Sequence, residues 1–124
     1  MDLYAIYLVS DSVGETADVV IRSALYQFET ENYQLKKYSY VQTTEEIDDI
    51  CAKAAEDEKA MIFYTFVKKE MADYMKSRIE HSNLIGVDIY SPILTGLGQL
   101  FQLPAKEKPG MNRQLNEDYF NHVE

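Results

Sequence analysis

The chain has 124 residues, a length suited to one domain with a real core. Apolar residues make up 46% and charged residues 27%, ordinary usage for a globular protein, and no apolar run approaches the ~20 residues that a membrane helix needs. Twelve basic residues against 21 acidic ones give a net charge of -9, a field that repels polyphosphate backbones, so nucleic acid and membrane are both excluded as expected partners.

Leu3 to Val9, LYAIYLV, is a near-continuous apolar run and predicts a strand buried on both faces. A polar stretch follows, VSDSVGET from Val9 to Thr16, in which Ser12 and Glu15 have the spacing of a capping box. Ala17, Val20, Ile21, Ala24, Leu25 and Phe28 then recur at helical spacing and predict one apolar stripe. Leu35 to Val41, LKKYSYV, reads as a second, more polar strand near an edge. Thr43 and Glu46 form a further capping-box pattern, leading into Ile47, Ile50, Cys51 and Ala54.

Ala60 to Phe66, AMIFYTF, predicts a central strand, and Met71, Tyr74, Met75 and Ile79 mark a third helix. Leu84 to Ile89 predicts a fourth strand, whose Gly86 would let another backbone come close. Ser91-Pro92 has the pattern of an N-cap followed by proline, with Ile93, Leu94, Leu97, Leu100 and Phe101 as the buried side of a fourth helix. Four strands alternating with four helices predict an α/β fold: a doubly wound, mostly parallel four-stranded sheet of order 2-1-3-4 with helices on both faces. The α/β domain is expected over residues 1–103. Residues 104–124 are expected to form a linker, rich in proline and glycine at Pro104, Pro109 and Gly110, and then a short amphipathic helix with Leu115, Tyr119, Phe120 and Val123 as an interface side.

The single cysteine, Cys51, excludes an internal disulfide and a Cys-based zinc site, and its place on an apolar stripe predicts inert packing. His81 and His122 lack neighbours at ligand spacing, so no metal is expected. Met1-Asp2-Leu3 starts no signal peptide, and a cytoplasmic location is the expectation.

In an open α/β sheet, ligands bind beyond the carboxyl ends of the strands at the switch point. That rim collects Ser10, Asp11 and Ser12 after the first strand, Thr65 after the third, and Asp88, Tyr90 and Ser91 at the fourth. Gly14 and Thr16 complete the polar loop. Hydroxyls and free amides at a helix N-terminus suit a phosphate or carboxylate. Two readings of VSDSVGET stand side by side: it caps a helix, or it also faces a ligand. Asp11 argues against a bare phosphate, because its carboxylate repels one. Lys68 and Lys69 could greet an anion or be ordinary surface lysines.

Tyr7 through Ala17, YLVSDSVGETA, resembles the amino-terminal signature of the pyruvate, phosphate dikinase regulatory proteins. Val87-Asp88-Ile89-Tyr90-Ser91-Pro92, Lys108-Pro109-Gly110 and Leu115-Asn116-Glu117-Asp118-Tyr119-Phe120 are similar to segments of that family, in the same order. The resemblance implies a bifunctional serine/threonine kinase and phosphorylase. Such proteins phosphorylate a threonine near the catalytic histidine of a target dikinase with ADP as donor, and remove it by phosphorolysis with inorganic phosphate. ADP or ATP and inorganic phosphate are thus implied for the full-length protein, and no cofactor for this chain.

The family's nucleotide-binding P-loop lies in a carboxyl-terminal half, and no G-x-x-x-x-G-K-[ST] occurs in this sequence. The resemblance therefore implies an amino-terminal part, inactive alone, whose partners are the target dikinase and a P-loop domain. Ser10, Asp11, Ser12, Gly14 and Thr16 are the residues it implicates, with Asp11 accepting the target threonine's proton or orienting the attacking phosphate.

Two other readings come from the residues. A non-catalytic module would dimerise or dock through Leu115, Tyr119, Phe120 and Val123. A flavin-binding domain would use the Ser10–Thr16 loop for phosphate and Tyr90 for stacking, although four strands, no tryptophan and the loop spacing speak against it. A phosphate-receiving response regulator would need an aspartate where Thr65 stands.

Overall fold

In a computed structural model that describes residues 3–111, the chain forms β1 (Tyr4–Ser10), α1 (Glu15–Leu25), β2 (Tyr33–Tyr38), α2 (Thr44–Glu56), β3 (Ala60–Thr65), α3 (Lys69–His81), β4 (Ile85–Asp88) and α4 (Tyr90–Phe101). The four strands make one parallel sheet in the order β2-β1-β3-β4. This is the doubly wound α/β arrangement expected from the alternating pattern. Leu115, Tyr119, Phe120 and Val123, expected to form an interface side, lie outside the described residues.

The apolar run of β1 is explained by its position. It pairs with β2 on one side and β3 on the other, and Ala5, Tyr7, Leu8 and Val9 are all buried. Alternation along the strands divides these side chains between two faces. Ala5, Tyr7 and Val9 join Ile62, Tyr64 and Phe66 in a core closed by Ile47, Ile50, Cys51 and Ala54 of α2 and Met71, Met75 and Ile79 of α3. Leu8 faces the other way, where α1 buries Ala17 and Ile21. Both predicted stripes of α2 and α3 are therefore core stripes. The capping box at Thr43 and Glu46 forms, each side chain accepting from the other's backbone N–H at 3.2 Å. Cys51 is buried with its Sγ 3.7 Å from Met75 Sδ, and burial pushes its thiol pKa up, as inert packing requires.

Several local expectations give way to tertiary context. Ser12 and Glu15 do not form a capping box: Gly14, at φ 90°, is the N-cap of α1, and Ser12 turns its hydroxyl toward Ser10 at 3.3 Å. Ser91 is not an N-cap either. Helix α4 starts at Tyr90, two residues before the expected first helical residue Pro92, and the Ser91 N–H donates to Asp88 Oδ1 at 2.9 Å. Strand β2 ends at Tyr38 because the next residues leave the sheet to bind the β1–α1 loop. Gly86 does admit a close neighbour, but it is the Ile79 side chain rather than a backbone.

The apolar sides of α1 and α4 are the largest correction. Helix α1 stops at Leu25, which leaves Phe28 in the following turn and exposed, as are Val20 and Ala24. Ile93, Leu97, Leu100 and Phe101 of α4 are exposed and Leu94 is half-buried, so the helix has no buried residue. Amphipathic spacing requires a covering neighbour, and among the described residues nothing covers this side. None of the described helices is long and apolar enough to cross a membrane.

Candidate functional site

Parallel strands bring their carboxyl ends to one edge, so Ser10, Thr65 and Asp88 end neighbouring strands there. Ser10 and Thr65 are register partners and lie on the same face as α1. Between them and the start of α1 sits a cavity of about 10 Å³, lined by Ser10, Ser12, Gly14, Thr16, Thr65 and Tyr90 among others.

The loop that forms this cavity is held from outside. Tyr40 N–H donates to Ser12 O and Val41 N–H to Ser10 O, each at 2.9 Å, while Ser39 Oγ donates to Val13 O at 2.6 Å. Within the loop, Ser12 N–H donates to Ser10 Oγ at 3.0 Å. Across the mouth, the Tyr90 hydroxyl donates to Thr16 Oγ1 at 3.1 Å and ties α4 to α1. Gly14 is favoured by its positive φ, which suits only glycine at low cost; a Cβ there would also press Lys37 Cε at 3.2 Å, the flexible end of a side chain. Lys37 Nζ lies 3.6 Å from Asp18, so this cation is engaged beside the cavity rather than in it.

Five predicted site residues therefore converge: Ser10, Ser12, Gly14, Thr16 and Thr65. The other three share the rim without lining the cavity. Asp11 is 4% exposed and directs Oδ2 to the Val67 N–H at 2.9 Å, bracing the β3–α3 loop. Its Oδ1 is buried without a hydrogen-bond partner among the described residues, and burial holds the carboxyl above its usual pKa, opposed by the backbone hydrogen bond from Val67. Asp88 accepts from Ser91 N–H, which fixes the β4–α4 junction. Lys69 pairs with Asp73 at 2.9 Å.

The pinning residues Ser39 to Val41 and the mouth-closing role of Tyr90 are what sequence reasoning missed. Ser39 directly follows β2, so the rule that strand ends feed the rim already pointed to it. Chemically, the arrangement offers several hydroxyls and a helix start whose N-cap is glycine, and among the described residues no cation lines the cavity.

The chain is 37% identical over 119 residues to a protein of Alkaliphilus oremlandii named "Putative pyruvate, phosphate dikinase regulatory protein"; the match covers 96% of this chain and 43% of that one. Relatives of the same name in Shouchella clausii and Bacillus velezensis are 38% and 37% identical, over 96% and 100% of this chain and 44% and 46% of theirs. The chain thus spans less than half the length of these curated relatives. The model of one family, described as kinase/pyrophosphorylase, matches residues 6–124, which include every element of the rim from Ser10 to Ser91. The chain belongs to the kinase/pyrophosphorylase family.

Proposed function

We propose that this chain is the part of a dikinase-regulating enzyme that meets the target protein. In that reading the whole enzyme phosphorylates a threonine of pyruvate, phosphate dikinase with ADP and removes the phosphate with inorganic phosphate. The family match over residues 6–124 carries the proposal. The names of the relatives and the hydroxyl-rich rim support it.

Phosphoryl transfer depends on groups that cradle the phosphates and place the nucleophile. This sequence has no G-x-x-x-x-G-K-[ST] loop, so nucleotide binding falls to a P-loop domain of the longer protein, and this chain alone is inactive. The rim supplies the target-facing half of a composite site. Asp11 takes part as proton acceptor only if docking frees its buried carboxylate from the β3–α3 loop.

The test compares this chain with a version extended to the full length of the relatives, using dikinase as substrate and ADP as donor. Threonine phosphorylation by the extended protein alone is the expected result. Inactivity of both on an authentic target refutes the reading.

A second reading, a docking or dimerisation module, draws on the exposed apolar side of α4. Light scattering on the whole chain and on one ending near Gly110 tests it, and two monomers refute it.

A further inference from the structure

The chain turns back on α4 where that helix ends. Gln102 closes the helix in the left-handed region at φ 56°, and the Leu103 N–H donates to Gly98 O at 3.2 Å. The returning segment is pinned at the start of α3, where the Lys69 N–H donates to Glu107 Oε1 at 2.7 Å. Between α4 and this segment runs a groove of about 350 Å³, lined by Leu94, Leu97, Phe101, Leu103 and Met111 among others. Phe101 and Leu103 are 61% and 66% exposed, so apolar surface stands open to water there. Ile93 and Leu100, on the other edge of the α4 stripe, do not line the groove.

Met111 is the last described residue, and its half-buried side chain lines the groove. Whatever follows it in the sequence starts from that place. Residues 112–124 carry Leu115, Tyr119, Phe120 and Val123, whose spacing puts four apolar side chains on one side of a helix. At about 1.5 Å per residue such a helix is about 20 Å long, a match for the 12-residue α4 beside it. A helix that short is marginal alone and gains stability by laying its apolar side on a neighbour. The charges agree. The segment has Glu117, Asp118 and Glu124 against Arg113, while Lys106 and Lys108 line the groove and the nearby Glu107 is engaged by the Lys69 N–H.

We infer that residues 112–124 cover this groove within their own chain, with Leu115, Tyr119, Phe120 and Val123 set against Leu94, Leu97, Phe101 and Leu103. A second copy of the chain is the competing occupant. The connection at Met111 holds the segment beside its own groove at an effective concentration on the order of millimolar. Two chains that each carry a net charge of -9 repel one another. Both effects favour the chain's own segment.

The experiment uses the whole chain. NOE spectra are recorded on isotope-labelled protein, and isotope-filtered spectra on an equal mixture of labelled and unlabelled protein. Contacts from the Tyr119 and Phe120 rings to the Leu94 and Leu97 methyls are expected within one chain. Contacts that appear between labelled and unlabelled chains identify the second copy and overturn the inference, and the absence of any such contact overturns it equally. Phe120→Ala adds a second measurement: amide hydrogen exchange in α4 is expected to accelerate about tenfold as the segment releases the helix. Unchanged exchange in α4 counts against the inference. No nucleotide or target enters either measurement, so their failure leaves the kinase reading standing, and an inactive full-length enzyme leaves the covered groove standing.

Discussion

Replacing Gly86 by alanine tests the packing of α3 on the sheet. Gly86 lies in β4 beside Ile62, on the face where Ile79 is buried. A Cβ added there would sit well inside 3.0 Å of Ile79 Cδ1, with Cγ2 at 3.1 Å and Cγ1 at 3.4 Å. The backbone itself tolerates alanine, which by narrowing the unfolded ensemble would stabilise by about 0.4–1 kcal/mol. Overpacking of a buried side chain costs about 1–3 kcal/mol. The nearest atom is the mobile end of Ile79, which places the clash toward the lower half of that range, and the net loss at about 1 kcal/mol.

Ile79→Val deletes that atom and alone costs about 0.5–1.5 kcal/mol. Combined, the two substitutions relieve each other, and the double variant is expected to be about 1 kcal/mol more stable than the sum of the singles predicts. Urea denaturation with a common m-value reads all four proteins. Additivity within about 0.3 kcal/mol, or a Gly86→Ala protein more stable than the parent, refutes the reasoning.

Asp11 holds a proton more tightly in the folded protein than in the unfolded chain, because burial raises its carboxyl above the ordinary 3.8. Stability should therefore fall as pH rises from that value through the raised one, and Asp11→Asn, which keeps an acceptor for Val67, should remove this slope and be no less stable near neutral pH. Thermal melts across that range check it; a less stable Asn protein at neutral pH counts against it. Thr43→Ala removes the side-chain half of the α2 capping box, the acceptor of the Glu46 N–H, and is expected to cost about 1 kcal/mol by denaturant titration, whereas no loss would mean the exposed cap contributes nothing. Leu100 is 72% exposed, so Leu100→Gln should change stability by less than about 0.5 kcal/mol, and a loss near 2 kcal/mol would show that the α4 face is covered.

The sequence by itself determined the order of elements, the parallel sheet and the two-sided burial of β1, because periodicity and apolar runs record which side of a segment must leave water. It also placed Ser10, Ser12, Gly14, Thr16 and Thr65 at one rim, since parallel strands send all their carboxyl ends the same way. The same local logic failed where a distant partner competes. Ser12 pairs with Ser10 instead of capping α1, Ser91 gives its own N–H to Asp88 instead of capping α4, and Asp11 turns from the cavity to the Val67 amide. The exposure of α4 was equally invisible, because an apolar stripe states that a helix has a covering surface without stating where that surface is. Which polar groups meet across the loops depends on tertiary contacts, such as those that bury Thr65 beside Ser10 at the cavity.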